Sequence, residues 1–384
     1  MSCMECLFFR GPRQTGKSSI LTRLQPRSQS LLFLDDLALK QRATEDPQFL
    51  IENSKFPILI DEAHLAPPLF FEIKRRIDQS RRERLLNKPS LPPGSFRLTG
   101  SNQTLIDEVV KETLAGRVSI FYLLGLSYSE LFQFDSSITL SEIFFRGGFP
   151  ELWIRKEINP IFYLNDYIST FIEKDLAISA GIEKRREFLN TLKLAAARVG
   201  ELLNYESISR DSGVSGNAVK EWFSLLEANQ IIAIVNPYFS NLNKRLIKMP
   251  KIYFLDVGLC VRLQAHQEPQ TILHTPLAGH LFETLVYSEI IKTKQNFFLD
   301  YEVYFWRTKE KEEIDFIVLE RNRMTLMEVK LASGATQSFP TPPTLLKENK
   351  FIRKCYVVAN GERKKLDQEI EIIPLKDLSN YLRE

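Results

Sequence analysis

Cysteine is scarce: four in 384 residues, at positions 3, 6, 260 and 355. That is too few and too scattered for a disulfide framework, and it fits a reduced compartment. Cys3 and Cys6 make a lone C-x-x-C, but no second Cys or His pair at zinc spacing follows, which argues against a structural zinc. The four histidines, at 64, 266, 274 and 280, show no ligand spacing, and no Ser-His-Asp arrangement is visible. Long apolar runs are missing as well. The longest, 118–126, is nine residues and contains Ser119 and Gly125, against the roughly 18 that a bilayer-spanning helix needs. The amino terminus has no basic region leading into an apolar run and a cleavage site, so a cytoplasmic location is expected. Neither sign of charge is in excess: 51 Lys and Arg face 48 Asp and Glu, net +3. A nucleic-acid surface must therefore come from local clusters.

What is present is an ordinary globular composition, 44% hydrophobic and 26% charged, in a chain long enough for two or three domains with their own cores. Short apolar runs at 7–9, 31–34, 56–60, 96–98 and 118–123 alternate with amphipathic stretches. They read as buried strands of a parallel sheet covered by helices. From Ser127 to about Asp175 the texture turns aromatic and helical, with a tight turn at Arg146-Gly147-Gly148-Phe149-Pro150. Residues 186–254 run helix, short helix, Gly213 turn, helix and two strands, the order of a winged helix-turn-helix. Its third helix sets only Lys220 against Glu221 and Glu227, which favours packing over DNA reading. A helix at 280–292 then precedes strands near 303–307, 314–319, 325–329 and 354–358. The expected division is 1–126, 127–185, 186–255 and 256–384.

Gly11-Pro12-Arg13-Gln14-Thr15-Gly16-Lys17-Ser18 matches G-x-x-x-x-G-K-[ST], directly after the first strand and at the start of a helix. Gly11 and Gly16 let the loop wrap a phosphate with its N–H groups, Lys17 bridges the terminal phosphates, and Ser18 ligates Mg²⁺, with Ser19 completing the cradle. The partner signal is the apolar run 56–60 ending in Asp61 and Glu62. Asp61 would hold Mg²⁺ through its water shell, and Glu62 would orient or deprotonate the attacking water. ATP and Mg²⁺ are the expected cofactors.

The strand at 96–99 ends in Gly100-Ser101-Asn102. In P-loop ATPases of the additional-strand type this strand inserts between the P-loop strand and the acidic strand, and a polar side chain at its tip faces the γ-phosphate. Asn102 is the candidate sensor, with Ser101 second. Arg117, after Leu114-Ala115-Gly116, stands where AAA+ ATPases carry an arginine finger, so it would complete the site of a neighbour in a homo-oligomer. The alternative is a cation capping the preceding helix. Together GPRQTGKSS, ILIDEAH, LTGSNQ, LAGR, RGGFPE (146–151), DYISTFIEKDL (166–176) and the Glu328-Val329-Lys330 region resemble the largely prokaryotic AAA-type ATPases fused to a carboxy-terminal domain of unknown function 4143. Only six residues precede Leu7, where the family usually carries a helical segment expected to contact adenine.

In the carboxy-terminal part, Asp315 lies on one strand and Glu328 and Lys330 lie on the next, two residues apart and hence on one face. This D…E-x-K pattern resembles the PD-(D/E)xK nuclease fold. The resemblance implies two carboxylates on a divalent metal, a lysine assisting the attacking water, and Glu283 from the upstream helix completing the site. The alternative for the same residues is a set of cross-strand ion pairs. Basic clusters at Lys74-Arg75-Arg76, Arg81-Arg82 with Arg84, Lys350, Arg353-Lys354 and Arg363-Lys364-Lys365 offer either a nucleic-acid surface or solvated faces. The expected fold class is therefore α/β: an amino-terminal P-loop AAA-type ATPase with a parallel sheet, a middle helical and winged-helix module, and a carboxy-terminal α/β restriction-endonuclease-like domain. The expected function is an ATPase coupled to a nuclease-like domain acting on nucleic acid, without a membrane partner. The rival is a regulatory ATPase switch with an inert carboxy-terminal scaffold.

Overall fold

The computed structural model describes residues 4–24, 29–100, 110, 112–238, 249–308, 312–331, 339 and 351–384. They form two compact units, Met1–Leu124 and Gly125–Glu384. In the first, β1 (Cys6–Arg10), α1 (Lys17–Leu24), β2 (Leu31–Phe33), α2 (Leu37–Glu45), α3 (Pro47–Glu52), β3 (Ile58–Asp61), α4 (Pro68–Leu85), β4 (Phe96–Gly100) and β5 (Val118–Tyr122) follow in order. The sheet order is β2-β3-β4-β1-β5, and every pairing is parallel. β4 thus stands between the strand feeding the phosphate loop and the strand ending in acids, as the additional-strand expectation required. The central strands are apolar because helices cover both faces: Phe8, Leu59, Ile60 and Leu98 are fully buried. Helix α4 sends Leu69, Phe70, Ile73 and Ile77 into that core at helical spacing.

The second unit begins with α5 (Tyr128–Phe134), α6 (Leu140–Arg146), α7 (Pro150–Ile154) and α8 (Pro160–Asp166), and a π-helical segment, Tyr167–Leu176, follows. Reciprocal capping boxes, Ser127 with Glu130 and Thr139 with Glu142, start α5 and α6. The glycine turn after α6 is a close crossing. Asp256 accepts N–H bonds from Gly148 (2.7 Å) and Leu259 (2.9 Å), and a Cβ on Gly258 would sit 2.4 Å from the Gly147 nitrogen.

Next come α9 (Arg185–Ala197), α10 (Tyr205–Ser212), α11 (Gly216–Ala228) and the antiparallel pair β6 (Ile232–Val235) and β7 (Lys251–Phe254). Asn204 and Ser215 cap α10 and α11, and Gly213 ends α10 in the left-handed region. After α12 (Val257–Leu263), the long α13 (Ala278–Phe297) precedes β8 (Glu302–Arg307), β9 (Glu313–Glu320), β10 (Arg323–Lys330), β11 (Phe351–Val358), β12 (Lys364–Lys365), β13 (Ile370–Pro374) and α14 (Leu375–Arg383). The sheet order is β12-β13-β11-β10-β9-β8, an antiparallel meander β8-β9-β10 that continues in parallel through β11 and β13. Glu289 on α13 is buried and accepts the N–H groups of Tyr128 (2.7 Å) and Ser129 (3.2 Å) at the start of α5. Among the described residues no helix is long and apolar enough to cross a membrane.

Candidate functional site

The loop after β1 turns where only glycine fits. Gly11 has φ +151°, and a Cβ there would lie 2.0 Å from the Leu123 carbonyl oxygen. Lys17, the first residue of α1, is buried, and its ammonium donates to the carbonyls of Gly11 (3.0 Å) and Pro12 (2.6 Å). Burial brings its pKa down to about 8, against the opposing pull of Glu62 and Asp61. Thr15 ties the loop back with a hydroxyl bond to the Pro12 carbonyl at 3.0 Å.

Ser18 donates to Asp61 Oδ1 at 2.7 Å, so the predicted magnesium pair meets across β1, β4 and β3. Thr99, fully buried in β4, donates to the same Asp61 oxygen and accepts the Glu62 N–H at 3.0 Å. It therefore orients the Asp61 carboxylate and holds the backbone at Glu62. The expected sensors, Asn102 and Ser101, lie outside the described residues. Glu62 takes left-handed backbone, φ 52°, which turns the chain immediately past the strand tip. His64 Nδ1 stands 3.1 Å from its Oε2. Arg117 forms a two-bond pair with Asp78, 2.6 and 3.0 Å, and also donates to the Ala115 carbonyl at 2.9 Å. Its guanidinium holds the Asp78 carboxyl below the usual range. A role in a neighbour's site requires that pair to open.

The carboxy-terminal carboxylates lie around the β9–β10 pair. Asp315 accepts the Val329 N–H at 2.8 Å. Lys330 donates to Glu328 Oε2 at 3.0 Å, while Glu328 Oε1 is buried and has no hydrogen-bond partner among the described residues. Burial first, then the charges of Glu283 and Glu328, push the Asp315 carboxyl well above its ordinary pKa. Glu328 is also raised by burial, although Lys330 opposes this. Glu283 does not stand free for a metal: its Oε1 accepts from the Lys251 ammonium at 2.8 Å and from the Tyr253 hydroxyl, and Oε2 faces His280 Nδ1 at 3.5 Å. Burial would raise its pKa, but these three partners outweigh burial and hold it below the usual range. Among the described residues no group of three or more His, Cys, Asp or Glu could hold a metal ion, so Asp315, Glu328 and Glu283 do not assemble as the expected trio.

Most of the basic clusters are already engaged. Arg75 pairs with Glu72, Arg81 and Arg84 with Glu5, Lys354 with Glu369, and Arg363 with Glu371 and Glu384. Arg353 lies 4.0 Å over the Tyr381 ring. Lys350 lies outside the described residues.

Three family models match in succession. Residues 4–132 match an AAA domain, residues 138–270 a domain of unknown function (DUF8612), and residues 278–378 a domain of unknown function (DUF4143). The amino-terminal region is thus an AAA domain, the class of nucleotide-binding ATPases, and a DUF4143 domain lies at the carboxy terminus. The chain is similar to the uncharacterized proteins Mb2031c of Mycobacterium bovis and Rv2008c of Mycobacterium tuberculosis. Each is 25% identical over 324 residues, covering 84% of this chain and 69% of the relative. A solved structure, protein VC1899 from Vibrio cholerae, aligns over 98% of this chain and 97% of its own at 15% identity, with a TM-score of 0.21, too low for a structural inference.

Proposed function

We propose that the chain is a Mg²⁺-dependent ATPase whose nucleotide state acts on its carboxy-terminal domain, with 1–126, 127–185, 186–255 and 256–384 as the working parts. One observation carries the reading: the Ser18 hydroxyl donates to Asp61 Oδ1 at 2.7 Å, joining the phosphate loop to the acidic strand tip. Two hard oxygen donors suit Mg²⁺, and Ser18 and Asp61 would hold it. Bound there, the ion neutralises charge on the terminal phosphates. Lys17 binds the β- and γ-phosphates, Gly11 to Ser19 wrap them with backbone N–H groups, and Glu62 takes the proton of the attacking water. Thr99 fixes the direction of the Asp61 carboxylate and the backbone of Glu62, and Asn102 or Ser101 senses the γ-phosphate. The test is ATP binding and turnover. Glu62→Gln should bind ATP as wild type does and lose turnover, and Lys17→Ala should lose binding. Wild-type affinity in Lys17→Ala sinks the reading.

A second reading, a nuclease-like carboxy-terminal domain, is favoured by the buried Glu328 Oε1, which has no hydrogen-bond partner among the described residues, beside Asp315 and Lys330. The helix, antiparallel meander and following parallel strand support a restriction-endonuclease-like fold. Cleavage of single- and double-stranded DNA and RNA should then be lost in Glu328→Ala. Absence of cleavage under every metal and nucleotide condition leaves the regulatory switch standing.

A further inference from the structure

Lys251, the first residue of β7, is only 2% exposed. An ammonium so far from water needs counter-charges in contact. Glu283 on α13 supplies one at 2.8 Å and Glu313 on β9 another at 2.5 Å, while the Phe305 ring of β8 lies 5.5 Å from Nζ. Both carboxylates are then nearly used up. Glu283 also accepts from Tyr253 and faces His280, and Glu313 pairs with Arg307 through its other oxygen at 3.0 Å. At hydrogen-bonding distance from both carboxylates, the ammonium fills the space between them that a divalent cation bridging the same oxygens would need. Two cations cannot occupy one cage of that size.

We propose that the Lys251 ammonium is the resident cation of the carboxy-terminal carboxylate cluster, excluding a divalent metal from Glu283 and Glu313. The residue belongs to the strand pair that follows α11, so that module plugs the cluster with its own side chain. This explains why the upstream helical acid is no metal ligand here although its position fits a nuclease pattern. The proposal rests on the contacts of Lys251 with Glu283 and Glu313 and is independent of cleavage: a chain that never cuts nucleic acid leaves it untouched.

The experiment is calorimetric titration of Mn²⁺ into the full chain without nucleotide, in an Asp61→Asn background that silences the amino-terminal ion site. Lys251→Met should bind Mn²⁺ at least tenfold more tightly than the parent, and adding Glu283→Gln should remove the gain. A folded Lys251→Met with parental affinity overturns the proposal. The parent itself gives a second measurement that needs no Lys251 variant. Absence of a micromolar site in the parent supports the resident ammonium, and a micromolar site abolished by Glu283→Gln refutes it.

Discussion

Two lysines are almost equally hidden, Lys17 at 6% exposure and Lys251 at 2%, yet their surroundings act on them in opposite directions. Lys17 touches neutral carbonyls of its own loop, and burial takes its pKa down to about 8. Lys251 touches carboxylates; burial alone would lower it, but Glu283, Glu313 and Asp315 raise it to about 12. Hydrogen bonds to neutral carbonyls, with Glu62 and Asp61 too weak to offset burial, leave an ammonium that gains from an anion, which is what a triphosphate offers. Contact with carboxylates gives an ammonium whose charge the chain itself balances. Lys17 is therefore placed to gain from an anionic ligand, and the charge of Lys251 is balanced within the chain.

The widest contrast comes from removing each lysine. Lys17→Ala should lower ATP turnover by on the order of ten-thousandfold, about 5.5 kcal/mol, while thermal stability holds or rises slightly because a poorly compensated buried charge is gone. Lys251→Met should do the reverse. It leaves Glu283 and Glu313 without their ammonium, costs roughly 3–5 kcal/mol of stability, and lowers the melting temperature by roughly 10 °C. Differential scanning calorimetry beside an ATPase assay separates the two, and equal stability losses would erase the distinction.

Alkaline pH sharpens it. The folded pKa of Lys251, about 12, lies above the free value of 10.5, so its stabilisation is complete below 10.5 and fades as pH rises through 12. For Lys17 the folded value, about 8, lies below 10.5. The unfolded chain binds more protons between those values, so stability rises with pH across that window. Each effect is on the order of 1–3 kcal/mol. Urea unfolding from pH 8 to 10 should show a rising contribution that Lys17→Met removes, and a slope unchanged by that variant would mean that Lys17 is not the depressed group.

Of intermediate size is Gly258→Ala. The added methyl meets Gly147 backbone at 2.4 Å, and no flexible side chain can yield, so a loss of about 1–3 kcal/mol is expected in thermal unfolding. A neutral substitution would show that this crossing can relax.

The central parallel strands could be read from the chain because they are largely buried and apolar regardless of partner, and the edge strands β2 and β5, though partly exposed, are still apolar runs. The phosphate loop was equally legible, since its chemistry is local: Gly11 through Ser18 are consecutive. Residues that work through distant partners were not. Thr99 looks like any polar residue at a strand end until its bond to Asp61 is seen, and Lys251 reads as a solvated strand-edge lysine although its counter-charges stand on α13 and β9, well downstream in the chain. Alternation sets Glu328 and Lys330 on one face, but periodicity carries no information about which cation meets Glu283 and Glu313.

Arg117 provides the smallest effect and the sharpest question about the amino-terminal site. Its pair with Asp78 is partly open to water, with side-chain exposures of 24% and 32%, and such pairs contribute roughly 0.2–1 kcal/mol. Arg117→Ala and Asp78→Ala should therefore unfold within about 1 kcal/mol of wild type and of each other. Their turnover numbers need not agree. If the arginine only caps its own helix, both variants hydrolyse ATP as wild type does at every protein concentration. If it serves a neighbour, Arg117→Ala loses turnover while Asp78→Ala, which frees the guanidinium, keeps or gains it. A strictly monomeric active enzyme by mass measurement with ATP would leave the capping role alone.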